Sequence, residues 1–422
     1  DQSTTMRLVD ILPDDEGTSL LDMFTGAFQS FSRKPKFLKV NTPYLNGSVE
    51  GTEFVVRIDG ESTAITVLEG TVVAANDQGQ VSVTPGQSAT ATKGQAPQAR
   101  TVVNPRDQVQ WALYYPPVLS GQGDGLLASA AELLSVGRVD QAAAKIDEAL
   151  AADSANADAL ALRSVIAVTQ NRNDAALADG QKAVELAPAS VAARIALSYA
   201  QQANLQLDAA RDNVQAAVDA NPESALAWAR LAELQLMLGD RRASTASAQQ
   251  AVELDSGVSR TQNVLGFAAL AEIDTTRARA AFEQAIALDS ADPLPRLGQG
   301  LAKIREGDLA GGRADIEAAV ALDSNNALLR AYLGKAYFEE KRGPLDITQF
   351  NVAKELDPND PTPYLFSAIA LQSNNQPVDA LRDIEASIER NDNRAVYRGR
   401  LQLDQDRAAR GTSLARITND LG

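Results

Sequence analysis

The chain has 422 residues, of which 45% are hydrophobic and only 5% aromatic, and its formal net charge is −16. It contains no cysteine and no histidine, which excludes thiol nucleophiles, serine–histidine pairs and zinc sites with the usual ligands. The acidity disfavours nucleic acids and anionic lipid surfaces as partners, because their phosphate groups repel it. No apolar run reaches the ~18 residues that a membrane helix needs, so membrane insertion is not expected either.

The first 95 residues lack a helical period and consist of short runs rich in β-branched residues. The runs end at turn signals such as Asp59-Gly60, Glu69-Gly70 and Pro85-Gly86. Residues 8–12 and 24–31 suggest two further strands upstream. The pattern predicts an antiparallel all-β domain at residues 1–95. An incomplete sheet there would leave an open edge, which an additional segment or a neighbouring subunit could close.

Four short stretches of this domain also resemble the FecR domain family. They follow the family's order and spacing: Val40-Asn41-Thr42-Pro43, Val49-Glu50-Gly51-Thr52-Glu53-Phe54, Val67-Leu68-Glu69-Gly70-Thr71-Val72 and Pro85-Gly86-Gln87. The resemblance covers about residues 8–95 and implies an exported β domain, periplasmic or at the surface of a Gram-negative bacterium. The family's namesake senses an outer-membrane receptor and signals to a sigma factor. We see no anti-sigma segment and no membrane helix in this sequence, so the regulatory role is not carried over.

Residues 96–122 predict a connector, because Ala96-Pro97, Asn104-Pro105 and Pro116-Pro117 resist both helices and central strands. The connector also holds a cluster of aromatic side chains. Trp111, Tyr114 and Tyr115 either pack the β domain onto the first helices or form an interface patch for a partner.

The remainder of the chain is strictly periodic. From Ala149 onwards, every 34th residue as far as Ser387 is small. Two parallel series, through Ala130 and Ala142, are small throughout except at Asp346. Small residues at fixed places let two helices approach closely within each repeat and let successive repeats stack.

This pattern resembles the tetratricopeptide repeat. The resemblance implies an α–α superhelical solenoid at residues 123–394, followed by capping helices at residues 395–422. The predicted fold class is therefore multidomain, all-β followed by all-α. Eight repeats are predicted to begin at Gly123, Ala157, Val191, Ala225, Ser259, Pro293, Ala327 and Pro361.

In such solenoids the first helix of each repeat lines a concave groove. The groove positions of the resembling family, carried over by register, nominate ten residues: Tyr199, Gln202, Glu233, Met237, Arg260, Asn263, Phe267, Arg305, Lys335 and Phe338. Their mixture of aromatic, cationic and amide groups suits an extended peptide or a partner's helix. Phe267 and Phe338 could instead belong to the helix core, and Arg305 and Lys335 could be ordinary solvated charges.

Two functions follow from these features. The first is a non-enzymatic scaffold that binds a protein or peptide in the groove. The second is a self-assembling filament subunit, in which an open β edge and the ends of the solenoid contact other copies of the chain. An enzyme is disfavoured, since the acidic clusters at residues 14–16 and 357–360 are interpreted as turn caps. No catalytic residue, cofactor or metal site is predicted.

Overall fold

A computed structural model of the chain describes residues 4–11, 19–31, 37–50, 52–102, 113–119 and 125–390. It divides into two compact domains, Asp1–Leu113 and Tyr114–Gly422, which we call the β domain and the helical domain. The predicted capping helices at residues 395–422 lie outside the described residues.

The described part of the β domain contains ten strands. Their bounds are β1 Thr5–Ile11, β2 Ser19–Phe31, β3 Phe37–Asn41, β4 Asn46–Glu50, β5 Glu53–Asp59, β6 Ser62–Glu69, β7 Val72–Asn76, β8 Gly79–Val83, β9 Gln87–Thr92 and β10 Gln98–Thr101. The sheet order is β10-β9-β6-β5-β2-β3-β4-β7-β8, and β1 pairs with β2. Strand β10 lies within residues 96–122, so the irregular connector begins later than the sequence pattern indicated.

Strand β2 joins the two halves of the sheet. Its first part pairs with β1 and β3, and its second part, from Gly26 onwards, pairs with β5. Gly26 has φ of +91°, and a Cβ there would lie 2.6 Å from Thr4 Cα. A residue with a side chain is therefore excluded at this point. Aliphatic and aromatic side chains from both halves, including Met23, Phe54 and Val72, form one core.

Strand β1 lies at an edge of the sheet. Among the described strands it pairs with β2 alone. Its apolar side chains face solvent, with Met6 and Val9 exposed and Leu8 61% exposed. Exposed apolar strands with one free edge readily pair with other chains.

The described part of the helical domain contains sixteen helices. They are α1 Leu126–Ser135, α2 Val139–Ala152, α3 Ala157–Thr169, α4 Asn173–Leu186, α5 Val191–Ala203, α6 Leu207–Ala220, α7 Ala225–Met237, α8 Arg241–Leu254, α9 Ser259–Ala271, α10 Thr275–Leu288, α11 Pro293–Arg305, α12 Leu309–Leu322, α13 Ala327–Glu339, α14 Leu345–Leu356, α15 Pro361–Ser373 and α16 Pro377–Glu389. Odd-numbered helices are the first and even-numbered helices the second of each repeat. The solenoid predicted from the period is confirmed.

Side chains cap the first helices at the turns between repeats. Six such N-caps occupy the same position of their repeats and accept a hydrogen bond from a backbone N–H of the first turn: Asn156, Ser190, Ser224, Asp292, Asn326 and Asp360. Each cap satisfies a backbone donor that the helix itself leaves without a partner. The repeat period is therefore seen in the polar residues of the turns as well as in the small residues of the core.

The turn between the two helices of each repeat adopts a left-handed conformation. It recurs once in every repeat, at glycine in three repeats and at other residues in five: Asn171, Leu205, Ile273, Lys341 and Asn375. Positive φ is costly for a β-branched residue such as Ile273, whose φ is 69°. The packing of the helices thus imposes this turn even where the local sequence opposes it.

Large and small residues compensate one another between the paired helices. The ring of Phe282 on α10 fits between Gly266 on α9 and Gly298 on α11, where an added Cβ would approach the ring to 2.5 Å and 2.2 Å respectively. In the next repeat, Gly300 and Gly312 bring α11 and α12 so close that a Cβ on either would meet the other's carbonyl oxygen. These contacts explain the small residues that mark the period.

Candidate protein-binding groove

A cavity of about 290 Å³ lies on the helical domain and is lined mainly by first helices. Its walls include Thr169 on α3, Tyr199 on α5, Met237 on α7 and Arg260 on α9. Asp360, in the turn before α15, lines the same cavity as Thr169, although most of the solenoid separates the two in sequence. The first helices therefore curl around this space, which we call the groove.

Two arginines and one glutamate form a buried network behind one wall of the groove. Arg230 is 1% exposed, and its Nη1 donates to Glu233 Oε2 over 2.9 Å. The same guanidinium donates to Ser198 Oγ and to Gln202 Oε1, at 2.9 and 2.8 Å. A buried charge with this many partners is held in one geometry.

Arg260 extends the network to the groove surface. Its Nη2 donates to both carboxylate oxygens of Glu233, at 2.9 and 2.8 Å, and to Tyr199 Oη at 2.7 Å. The Tyr199 ring also lies 3.9 Å from the Arg230 guanidinium carbon, a cation–π contact. Burial lowers the pKa of Arg260, but the charge of Glu233 and the other neighbouring acidic groups raise it by a larger amount. The pKa therefore lies above its ordinary value, and the side chain keeps its charge.

Acidic side chains from the turns between repeats also line the groove. Asp323 and Asp360 line the groove and are buried. Burial raises the pKa of Asp323 to about 6, although hydrogen bonds from Asn326 and Asn325 act in the opposite direction. Asp360 Oδ1 accepts from the backbone N–H of Thr362 at 2.8 Å, so it is also a helix cap. The groove lining thus includes both a buried guanidinium and buried carboxyl groups.

An extended segment of the chain itself lies in the groove. We call residues Tyr114–Leu119 the Tyr–Pro segment, and its Tyr114 and Pro116 line the cavity. Tyr114 Oη donates to Asp289 Oδ2 at 3.2 Å. Burial, followed by the charges of Asp292 and Asp289, raises the pKa of Tyr114 well above its ordinary value. The phenol therefore stays protonated and remains a donor.

The second tyrosine of the segment is more deeply buried. Tyr115 is 3% exposed and is hydrogen-bonded to the Gln170 side chain, at the end of α3. Burial is the main cause that raises the pKa of Tyr115. Tyr114 and Tyr115 are therefore not a surface patch: their contacts are with the solenoid's own repeats. Trp111, the third residue of the predicted patch, lies outside the described residues.

Four of the ten nominated residues line the groove, namely Tyr199, Gln202, Met237 and Arg260. Glu233 lies behind them in the buried network, where it fixes Arg260. Sequence reasoning missed Arg230 and the turn aspartates. An arginine within a largely apolar first helix was the available signal for Arg230. The register of the first helices carries no information about the turns.

The other five nominated residues are elsewhere. Phe267 is 2% exposed and packs edge-to-face on Phe282, with ring centroids 4.9 Å apart, so it belongs to the helix core. Asn263 is buried on the same helix. Arg305 is exposed at the end of α11, and Lys335 lies over the Phe338 ring, outside the residues that line the groove.

The fold defines a class: helical-repeat proteins, here joined to an all-β domain. Comparison with protein-family models makes this specific. A FecR protein model matches residues 2–73, and a tetratricopeptide repeat model matches residues 127–191 and 297–361. The chain is a FecR domain followed by tetratricopeptide repeats, as its sequence motifs predicted.

Solved structures share the solenoid. The crystal structure of the Cut9–Hcn1 hetero-tetramer of APC/C is 18% identical, with a TM-score of 0.56, over 69% of this chain and 55% of that chain. The human IFIT1 dimer with PPP-AAAA is 12% identical, with a TM-score of 0.50, over 69% and 72%. A tetratricopeptide repeat protein from Parabacteroides merdae is 15% identical, with a TM-score of 0.42, over 58% and 97%. At these identities the likeness concerns the fold.

A search of curated proteins found no match. The repeats and their structural neighbours support a protein–protein interaction scaffold, and the repeat fold is typically non-catalytic. Within the described residues, we find no helix with the length and apolar character required to cross a bilayer.

Proposed function

We propose that the protein is an exported, non-enzymatic scaffold that binds an extended segment of a partner protein in the groove. The observation that carries this proposal is the preformed wall of Tyr199, Gln202 and Arg260. Arg260 is held by Glu233 and Tyr199 at hydrogen-bond distances, so little side-chain freedom is lost when a ligand binds. A rigid groove with aromatic and charged groups suits an extended peptide.

The location in this proposal rests on the N-terminal domain. FecR domains are associated with the bacterial envelope, and residues 2–73 match the FecR model. We therefore place the scaffold in the periplasm or at the cell surface of a Gram-negative bacterium. Fractionation of cells that produce the full-length protein tests this, and recovery in the cytosol would contradict it.

Site-specific photo-crosslinking tests the groove. A photoreactive amino acid at Gln202 is expected to give a covalent adduct with a partner protein in cells. The matched control places the same group at Gln215, which is exposed on the second helix of the same repeat and does not line the cavity. Equal adducts from both positions would contradict binding in the groove.

Self-assembly is the second candidate function, and the exposed apolar edge of β1 favours it. Pairing of β1 with a second copy would cover Met6, Leu8 and Val9. Light scattering and negative-stain microscopy are then expected to show polymers that grow with concentration, and Leu8→Lys is expected to abolish them. Monodisperse monomers over a wide concentration range would eliminate this candidate.

A further inference from the structure

We infer that the Tyr–Pro segment is a built-in occupant of the groove, and that the groove is selective for extended peptides in which tyrosines precede prolines. A partner of that chemistry would displace the segment from the groove. This inference rests on the proposed function, since it names the ligand and the regulation of the same site.

The segment has the local sequence of an extended peptide ligand. Residues 114–118 belong to no helix or strand, and Pro116 and Pro117 favour the extended polyproline II conformation. The two most deeply buried side chains, Tyr115 and Val118, are three residues apart, while Pro117 is exposed. Three residues per turn is the period of polyproline II, so Tyr115 and Val118 lie on one face of the segment, while Tyr114 and Pro116 line the cavity.

The groove recognises the segment through both of its tyrosines. The Tyr114 hydroxyl donates to Asp289, at the end of α10, whereas Tyr115 bonds to Gln170, at the end of α3. The two phenols thus reach the second and the fifth repeats of the helical domain. Aromatic rings in pockets with one polar contact each are the usual energetic centres of peptide recognition.

The chemistry around Tyr114 explains the preference for a phenol. Its oxygen donates to Asp289, and the charge of Asp292 also acts on it, so a negatively charged ligand group at this place would be repelled. A protonated hydroxyl supplies a donor without adding negative charge. A phenylalanine at this place would leave the Asp289 carboxylate without that hydrogen bond.

Occupation by the same chain sets a threshold for any other ligand. A segment of the same polypeptide competes at an effective concentration on the order of millimolar. A free peptide binds only those molecules in which the groove is vacant. Its apparent affinity is therefore its intrinsic affinity multiplied by the vacant fraction. The segment is therefore an autoinhibitory contact, and it raises the selectivity of the groove for strong partners.

The test uses a fluorescent synthetic peptide, Tyr-Tyr-Pro-Pro-Val-Leu, and fluorescence anisotropy with the full chain. The Tyr114→Ala/Tyr115→Ala variant, which weakens the internal occupant, is expected to bind the peptide about tenfold more tightly than the wild type does. In that background, Asp289→Ser should weaken binding about fivefold, because serine keeps the turn hydrogen bond to Ala291 N–H but lacks the carboxylate. A peptide with alanine in place of both tyrosines is the matched control.

Two outcomes would overturn the inference. One is failure of the peptide to bind a double variant whose circular dichroism is native, and the other is equal binding to variant and wild type. If the double variant does not fold, hydrogen exchange of the wild type decides the question: saturating peptide should accelerate exchange at residues 114–119, and unchanged exchange would refute displacement. If crosslinking from Gln202 succeeds while these tests fail, the proposed function stands and this inference falls.

Discussion

The interior of the solenoid and the wall of its groove use the same helices in opposite ways. Where Phe282 lies between Gly266 and Gly298, an aromatic ring fills the space between the helices without charge. On the groove side, the first helices bury Arg230, Glu233 and Arg260. The packing at Phe282 therefore depends on volume and the groove on charge balance, and the two should fail differently when altered.

The largest effect is expected from breaking the charge balance of the groove wall. Glu233→Gln leaves Arg230 and Arg260 buried without their shared carboxylate, which should cost about 3–5 kcal/mol of unfolding free energy. Urea denaturation followed by circular dichroism measures the loss. Glu253→Gln, on the exposed face of α8, is the matched control and should change stability by less than about 0.5 kcal/mol. Similar midpoints for both variants would show that the network contributes little.

Overfilling the interior should have the next largest effect. In Gly298→Ala, the new methyl group would lie 2.2 Å from the Phe282 ring, so we expect a loss of about 2 kcal/mol even though alanine favours helices. The reduced volume in Gly298→Ala/Phe282→Leu should restore about half of the lost stability. Equal stability of wild type and Gly298→Ala would mean that the ring moves aside freely.

The groove should also respond to pH, whereas the uncharged contact of Phe282 with Gly266 and Gly298 should not. The folded-state pKa of Asp323, about 6, lies above its ordinary value of 3.8, so the folded chain binds this proton more tightly than the unfolded chain. Its contribution to stability is complete below about pH 4 and is lost as the pH rises through 6. Asp323→Asn should remove this pH dependence and stabilise the protein at pH 7 by about 1–2 kcal/mol, after the loss of its hydrogen bonds.

Urea midpoints between pH 4.5 and 7.5 check the expectation for Asp323. Asp255→Asn, at the equivalent turn position two repeats earlier and exposed, is the control for removal of one carboxylate. If the urea midpoint of Asp323→Asn changes with pH as steeply as that of the wild type, the pH dependence belongs to other groups.

The smallest effect concerns the turns, where the period overrides the local sequence. Ile273→Gly should raise the free energy of unfolding by about 1 kcal/mol, because glycine accepts the positive φ that isoleucine opposes. The side chain is exposed, so little packing is lost. Thermal melts of Ile273→Gly and the wild type provide the measurement, with Leu309→Gly at the start of α12 as a helical control that should be destabilised. A lower melting temperature for Ile273→Gly than for the wild type would contradict the expectation that isoleucine strains this turn.

The sequence predicted the solenoid well because its period is carried by packing, which acts between neighbouring repeats. The same register placed Tyr199, Gln202, Met237 and Arg260 at the groove. It failed for Phe267, since Gly266 beside it lets Phe282 approach and draws the ring into the core. It also could not show that Tyr114 and Tyr115 occupy the groove, because that contact joins residues far apart in the chain and depends on how the repeats curl.

Hydrogen bonds between consecutive repeats also recur at fixed positions of the repeat. Thr245, Arg279 and Arg313, at the same position of three consecutive repeats, donate to Glu272, Glu306 and Glu340 in the repeat that follows, at 2.8 to 3.0 Å. These contacts are partly exposed and individually weak. They join consecutive repeats only, whereas the Tyr–Pro segment joins the second repeat to the fifth.

This difference has a mechanical consequence. A stack of repeats linked only to their neighbours stretches under load like a coil spring, with each small rotation adding to the next. A tie from α3 to α10 through Tyr115 and Tyr114 runs from the second repeat to the fifth and would bear tension before the stack lengthens. A ligand that removes the segment would therefore leave the solenoid softer, so that its stiffness reports whether the groove holds its own chain or another.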